Sequence, residues 1–188
     1  MIILGSQSPR RQYLMGKDIT KNFAVVVPNI DESSSYNLKP IKAVRDIAYR
    51  KGQDLLSKVE EDTIITADTI VVLGKEIIGK PVDAEDAKRM LTKLSGKTHK
   101  VITAYYINHK GKEVLRDEIS FVQFNYLTPP IIEKYVASGS PLDKAGAYGL
   151  QDNNEYNIVK SVRGSIKNVI GFPTERIIKD LKKLGVIY

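Results

Sequence analysis

Short apolar runs alternate with stretches of helical period along the chain, and two of the runs are long and joined through a glycine turn. This alternation constrains the fold most. Separated strands with helices between them build α/β layers, and a hairpin of long strands makes the sheet mixed rather than purely parallel. Residues 1–4 and 23–27 read as strands, with a short helix from Pro9 between them. Residues 40–59 read as a helix with Ile41, Val44, Ala48 and Leu55 on its apolar face. Residues 63–67 and 70–73 read as two strands around an acidic interruption at Asp68. Asp83 is placed to cap a helix running to Leu94, with Gly96 just beyond its end.

Residues 99–109 and 113–126 form the long hairpin through Lys110-Gly111-Lys112. Thr128-Pro129-Pro130 opens another helix that stops before Gly139. Residues 159–162 and 166–169 read as short strands, and 173–184 as a last helix closed by Gly185. Residues 29–39 and 150–157 are the expected mobile loops. At 188 residues, with no repeat, low-complexity segment or obvious linker, the chain is one large domain or two small ones, α/β with a mixed sheet.

The turn after the first strand, Ser6-Gln7-Ser8-Pro9-Arg10-Arg11, has the ingredients of a phosphate site. Ser8 is a good N-cap, and Pro9 suits a first helical turn, where its missing N–H costs nothing. Free amides and the positive helix end favour an anion, and Arg10 and Arg11 add two permanent cations. Asp68 is the most conspicuous carboxylate, because its apolar surroundings would be costly for an unpaired charge. It could take a proton from water, bind a divalent cation, or simply turn the chain between two strands. Lys80, between Gly79 and Pro81, can be aimed at a phosphate or stand in an exposed loop. Lys51 is equally ambiguous. Asp31-Glu32 supplies a second carboxylate for a metal, or ordinary loop charge.

Other readings fail. Gly96-Lys97-Thr98 is not a phosphate loop, since Leu91 stands where that loop needs glycine and a helix precedes it in place of a strand. The two histidines, His99 and His109, lack metal-ligand spacing, and zero cysteines exclude disulfides, thiolate zinc sites and cysteine nucleophiles. No apolar run approaches the ~18–20 residues that span a bilayer, and no signal peptide is evident, so the expectation is a cytoplasmic protein without a membrane partner. A net charge of +7 fits a pocket for a polyanionic small molecule, a nucleic-acid surface, or solvated lysines. Residues 143–151 are rich in glycine and alanine, permitting close backbone approach to packed neighbours or a flat ligand. Asp143 and Lys144 can pair with each other or with the scaffold, and the Gln151 amide can read the edge of a base.

Taken in order along the chain, six motifs resemble the Maf family of nucleoside triphosphate pyrophosphatases. They are the Ser6–Arg11 turn, Ala67-Asp68-Thr69, Gly79-Lys80-Pro81, the stretch 94–104, the stretch 138–151 and Asn168-Val169-Ile170-Gly171-Phe172-Pro173. The resemblance covers essentially the whole chain. It implies an elongated mixed β-sheet with flanking helices, in two lobes around a cleft, similar to inosine triphosphate pyrophosphatases. It also implies hydrolysis between the α and β phosphates, giving a nucleoside monophosphate and pyrophosphate with Mg²⁺ or Mn²⁺.

By motif match, Asp68 is the proton acceptor, and Ser8, Arg11, Lys51 and Lys80 line the phosphates. Glu32 and Asp68 hold the metal, and Arg10, Thr69 and Gln151 select the substrate. These three are similar to the branch acting on dTTP and UTP. Two positions depart from the family's usual pattern: Asp152 follows Gln151 where glycine is usual, and Ser140 stands where glutamate is common. Family members often form homodimers, and a nucleic-acid partner is not required. The alternatives are a pyrophosphatase for non-canonical purine triphosphates or 7-methyl-GTP, and a nucleic-acid-binding cell-division regulator without catalysis.

Overall fold

The computed structural model describes residues 1–60 and 63–188. Its strands form one open mixed sheet in the order β2-β1-β3-β5-β6-β7, with β4 paired to β3. They are β1 (Ile2–Gly5), β2 (Phe23–Val25), β3 (Thr63–Leu73), β4 (Glu76–Ile78), β5 (Thr98–His109), β6 (Lys112–Phe124) and β7 (Val159–Arg163). β1 runs parallel to both neighbours, with Ile3 opposite Ala24 and Ile64. β4 and β7 run antiparallel to β3 and β6. The helices are α1 (Pro9–Leu14), α2 (Pro40–Leu56), α3 (Ala84–Leu94), α4 (Pro129–Ala137), α5 (Asn153–Tyr156), α6 (Ile166–Ile170) and α7 (Thr174–Lys183).

The chain divides into two compact units. The first comprises residues 1–69, 103–118 and 170–188, and the second residues 70–102 and 119–169. The first is built on Leu4, Met15, Ile65, Tyr105, Phe172 and Leu181, the second on Val71, Leu91, Val122, Phe124, Tyr135 and Tyr148. In the first, α2 lies close against the sheet: a Cβ on Gly52 would fall 2.2 Å from the Tyr106 ring. The Thr66 hydroxyl donates to the Ala48 carbonyl at 2.6 Å. Lys51 follows Ala48 by about one helical turn, and Asp68 shares Thr66's face of the strand, so these contacts fix both functional side chains.

Several sequence expectations change. Asp68 does not interrupt two strands; β3 runs unbroken through it, because the carboxylate has an ion-pair partner and its backbone stays in the ladder. Residues 166–169 are helical, not a strand. The Ser165 hydroxyl accepts the Asn168 N–H, and Asn168 reaches the Val101 carbonyl and Ser120, so local capping overrides a β-branched run. The segments expected as loops carry short 3₁₀ turns at Ser33–Asn37 and Leu150–Asp152, the latter leading into α5. β2 ends at Val25, and Ile41 is exposed while Ala43 and Ile47 complete the buried face of α2. The Asp83 cap and the hairpin at 110–111 are as expected: the Asp83 carboxylate accepts the Asp86 N–H at 2.8 Å.

Candidate active site

At the amino-terminal turn, Ser6 ends buried at the edge of β1 and its hydroxyl accepts the Ser8 N–H at 3.1 Å. Ser8 has extended N-cap geometry but makes no side-chain cap, contrary to the sequence reading; its carbonyl accepts the Gln12 N–H. The Ser6 hydroxyl has taken the amide-binding role, leaving the Ser8 hydroxyl uncommitted to the helix. Pro9 occupies the first turn as expected.

Arg11 is held side-on. Its Nε donates to the Gly171 carbonyl at 2.8 Å, and Nη2 donates to Thr69 Oγ1 at 3.0 Å. Thr69 Oγ1 also shares a 2.9 Å hydrogen bond with Thr103 Oγ1. Gly171, at φ +113°, adopts a conformation that favours glycine, and a Cβ there would press on Thr69 Oγ1 at 3.2 Å. Burial lowers the Arg11 pKa, while Asp68 opposes the shift, the neighbouring Arg10 adds to it and Glu32 opposes it. The guanidinium nevertheless stays charged, since its ordinary pKa lies so far above neutrality.

Beside it is a carboxylate pair. Asp68 is buried in β3, and its Oδ1 accepts from Lys51 Nζ at 2.9 Å. The same ammonium lies 2.7 Å from Glu32 Oε1. Two acids from opposite sides of α2 in sequence therefore share one cation. Asp68 Oδ2 is buried and has no hydrogen-bond partner. A carboxylate oxygen left so is costly unless a ligand or proton completes it.

Glu32 is placed by its loop. The Asp31 carboxylate accepts the Ser33 N–H at 2.9 Å, and Arg50 Nη2 donates to the Asp31 carbonyl at 2.8 Å. Ser35 Oγ donates to Asp46 at 2.7 Å, tying the same turn to α2. Tyr36 reaches Glu32 from the same turn. Its hydroxyl pKa lies far above the ordinary value, first through burial, then through the charges of Asp68 and Glu32 and a hydrogen bond with Glu32.

The second unit carries the other expected residues. Lys80 is exposed after β4, in a segment anchored by the Gly146 N–H donating to the Gly79 carbonyl at 3.0 Å. Gly146 has φ +71°, and a Cβ there would meet Val71 at 2.9 Å. Gln151 is exposed in the Leu150–Asp152 turn. The two departures noted in the sequence meet here: Ser140 Oγ donates to Asp152 Oδ2 at 2.7 Å. Lys144 pairs with Asp143 at 3.0 Å and also donates to the Ser140 carbonyl, so both expected pairings form.

The structure thus brings Asp68, Lys51 and Glu32 into one cluster and joins Arg11 to Thr69. The sequence reading did not single out Tyr36 or Thr103. Each is an ordinary core or loop residue by type, and only its partners give it significance. Among the described residues there is no group of three or more His, Cys, Asp or Glu that could hold a metal. Two carboxylates nonetheless suit a hard divalent cation that takes its remaining ligands from water and substrate phosphate. Asp68 Oδ2, unpartnered, is the available donor for such an ion.

A fixed guanidinium and an ammonium shared by two carboxylates thus lie beside a strand–turn–helix. Comparison with known proteins shows the family. The family profile described as Maf-like protein matches residues 1–184. The dTTP/UTP pyrophosphatase of Thermococcus onnurineus is 40% identical over 185 residues, covering 98% of both chains. That of Pyrococcus abyssi is 42% identical, over 98% of this chain and 96% of its own. That of Halalkalibacterium halodurans is 39% identical with the same coverage. The chain belongs to the Maf family.

Proposed function

We propose that this protein is a nucleoside triphosphate pyrophosphatase that hydrolyses dTTP and UTP to the monophosphate and pyrophosphate. The observation that carries the reading is the carboxylate pair on Lys51, with Asp68 keeping one buried oxygen unpartnered. Relatives of about 40% identity over nearly the full chain, named for this activity, support it.

Phosphoanhydride cleavage is mostly a matter of positioning and charge, because a triphosphate repels any nucleophile until its charge is offset. Arg11, Lys51 and Lys80 supply the cations and Ser8 a hydroxyl donor, while Asp68 takes the proton from the attacking water. Glu32 and Asp68 are the residues that would hold Mg²⁺ or Mn²⁺, which offsets phosphate charge when bound. Arg10, Thr69 and Gln151 select the substrate. Thr69 acts through Arg11, which it holds, and the Gln151 amide offers a donor and an acceptor to a pyrimidine edge. No helix is long and apolar enough to cross a membrane among the described residues. A single functional domain over 1–188, a cytoplasmic location and a homodimer belong to the same proposal, the domain and the dimer resting on the family resemblance.

The test is a panel of dTTP, UTP, CTP, ITP, GTP and 7-methyl-GTP with Mg²⁺, with the products identified. Pyrophosphate from dTTP and UTP is expected; orthophosphate, or a purine preference, would refute the reading. In the same assay Asp68→Asn is expected to lower kcat about 10²–10⁴-fold, the usual contribution of a positioned general base. Wild-type turnover by that variant would remove Asp68 from the chemistry.

A further inference from the structure

Asp152 holds a network in the second unit that neither the phosphate site nor the carboxylate pair explains. Its Oδ2 accepts from Tyr135 OH at 2.6 Å and from Ser140 Oγ at 2.7 Å. The Tyr135 hydroxyl also accepts the Gly149 N–H, at 3.1 Å. One hydroxyl on α4 therefore ties both ends of the turn from Gly149 to Asp152, a turn closed by the Asp152 N–H on the Gly149 carbonyl at 3.2 Å. Gln151 lies between these two ties.

A buried ammonium completes the arrangement. Lys144 is 7% exposed, and its Nζ donates to Ser140 Oγ at 3.0 Å and lies 4.0 Å from Asp152 Oδ2. Its stem also comes close to Gly149. A Cβ built on Gly149 would lie 2.7 Å from Lys144 Cε, from Gln151 Nε2 and from Gln151 Oε1. The Gln151 amide and the end of the lysine chain both lie over the bare Cα of Gly149. Such a network is over-determined for an exposed three-residue turn. Its effect is to fix where the Gln151 amide can go, and a fixed amide discriminates between bases better than a mobile one.

We propose that Asp152 is a positioning residue for base recognition, which with the Tyr135 hydroxyl fixes the turn that presents Gln151. This deepens the dTTP and UTP reading and rests on it. The role needs an acceptor oxygen at position 152 and a hydroxyl at position 135, and the two act as one device.

Steady-state kinetics on dTTP, UTP and CTP, with thermal melting of each variant, tests it. Asp152→Ala and Tyr135→Phe are each expected to raise KM for dTTP and UTP about tenfold with kcat within about threefold, the scale of one lost recognition contact. Discrimination against CTP should fall in parallel. The double variant should be no worse than the poorer single one, because both break the same tie. Asp152→Asn keeps an acceptor oxygen for both hydroxyls and should remain close to wild type.

Unchanged KM and discrimination in both single variants would overturn the inference. So would effects that multiply in the double variant, or an equal loss of kcat on every triphosphate. A wild-type protein that does not hydrolyse dTTP or UTP refutes the underlying reading, and this inference with it, before any variant is made. A wild type that does so, with indifferent variants, refutes the positioning role alone.

Discussion

Buried polar side chains in this molecule fall into two kinds, distinguished by what their partners leave undone. Lys51 has one carboxylate on each side, and Arg11 is fastened by Gly171 and Thr69. His99 is the other kind. Its Nε2 meets Tyr148 OH at 2.7 Å, its Nδ1 is buried without a partner, and its ring packs edge-on against Phe124 and Tyr148. Burial pushes its pKa down from 6.5 to about 4. The unfolded chain therefore binds this proton first as pH falls. The His99 contribution to stability is complete above about pH 6.5 and is lost towards pH 4, on the order of 3 kcal/mol. Urea unfolding across that range should show the slope in the wild type, and His99→Gln should flatten it.

At the same scale, Asp68 was legible in the sequence because an acid among β-branched residues is conspicuous. Tyr36 and Thr103 were not, since a loop tyrosine and a strand threonine gain meaning only from neighbours distant in sequence.

Among the elements, α2 shows how a helix is placed by what it lacks. Gly52 lets the helix lie against the Tyr106 ring, where alanine would put a Cβ 2.2 Å from a ring carbon. Alanine gains about 1 kcal/mol of helix propensity over glycine, whereas overpacking a rigid ring costs about 1–3 kcal/mol. Gly52→Ala should therefore destabilise the protein, by up to about 2 kcal/mol net, and a lower thermal midpoint would register it. The hairpin and the Asp83-capped helix could be read from sequence, because their signals are local: a Gly turn, an acidic cap, a clear period. α6 could not. Its β-branched run favours a strand, and the contacts that reverse this, to Ser120 and the Val101 carbonyl, come from β6 and β5. Likewise β3 looked broken at Asp68 because the ammonium that permits an acid in mid-strand lies on α2.

For the molecule as a whole, alternation of elements gave the mixed sheet, but not the division of the chain into two discontinuous units. The backbone passes between them at 69/70, 102/103, 118/119 and 169/170. Three of those crossings fall inside β3, β5 and β6. No local pattern marks such a crossing, because a strand's period does not change where its neighbours do. The first unit needs Phe172, Ile177 and Leu181 for its core. A chain ending at Val169 should therefore lack a cooperative thermal transition in that unit, which circular dichroism melting would detect. A sharp wild-type-like transition would contradict this.

The Arg11–Gly171 contact has a consequence for synthesis on the ribosome. Position 11 is made 160 residues before the carbonyl that accepts from its guanidinium. That hydrogen bond cannot form until position 171 has left the exit tunnel, so until then only partners nearer in the chain, such as Thr69, can orient Arg11.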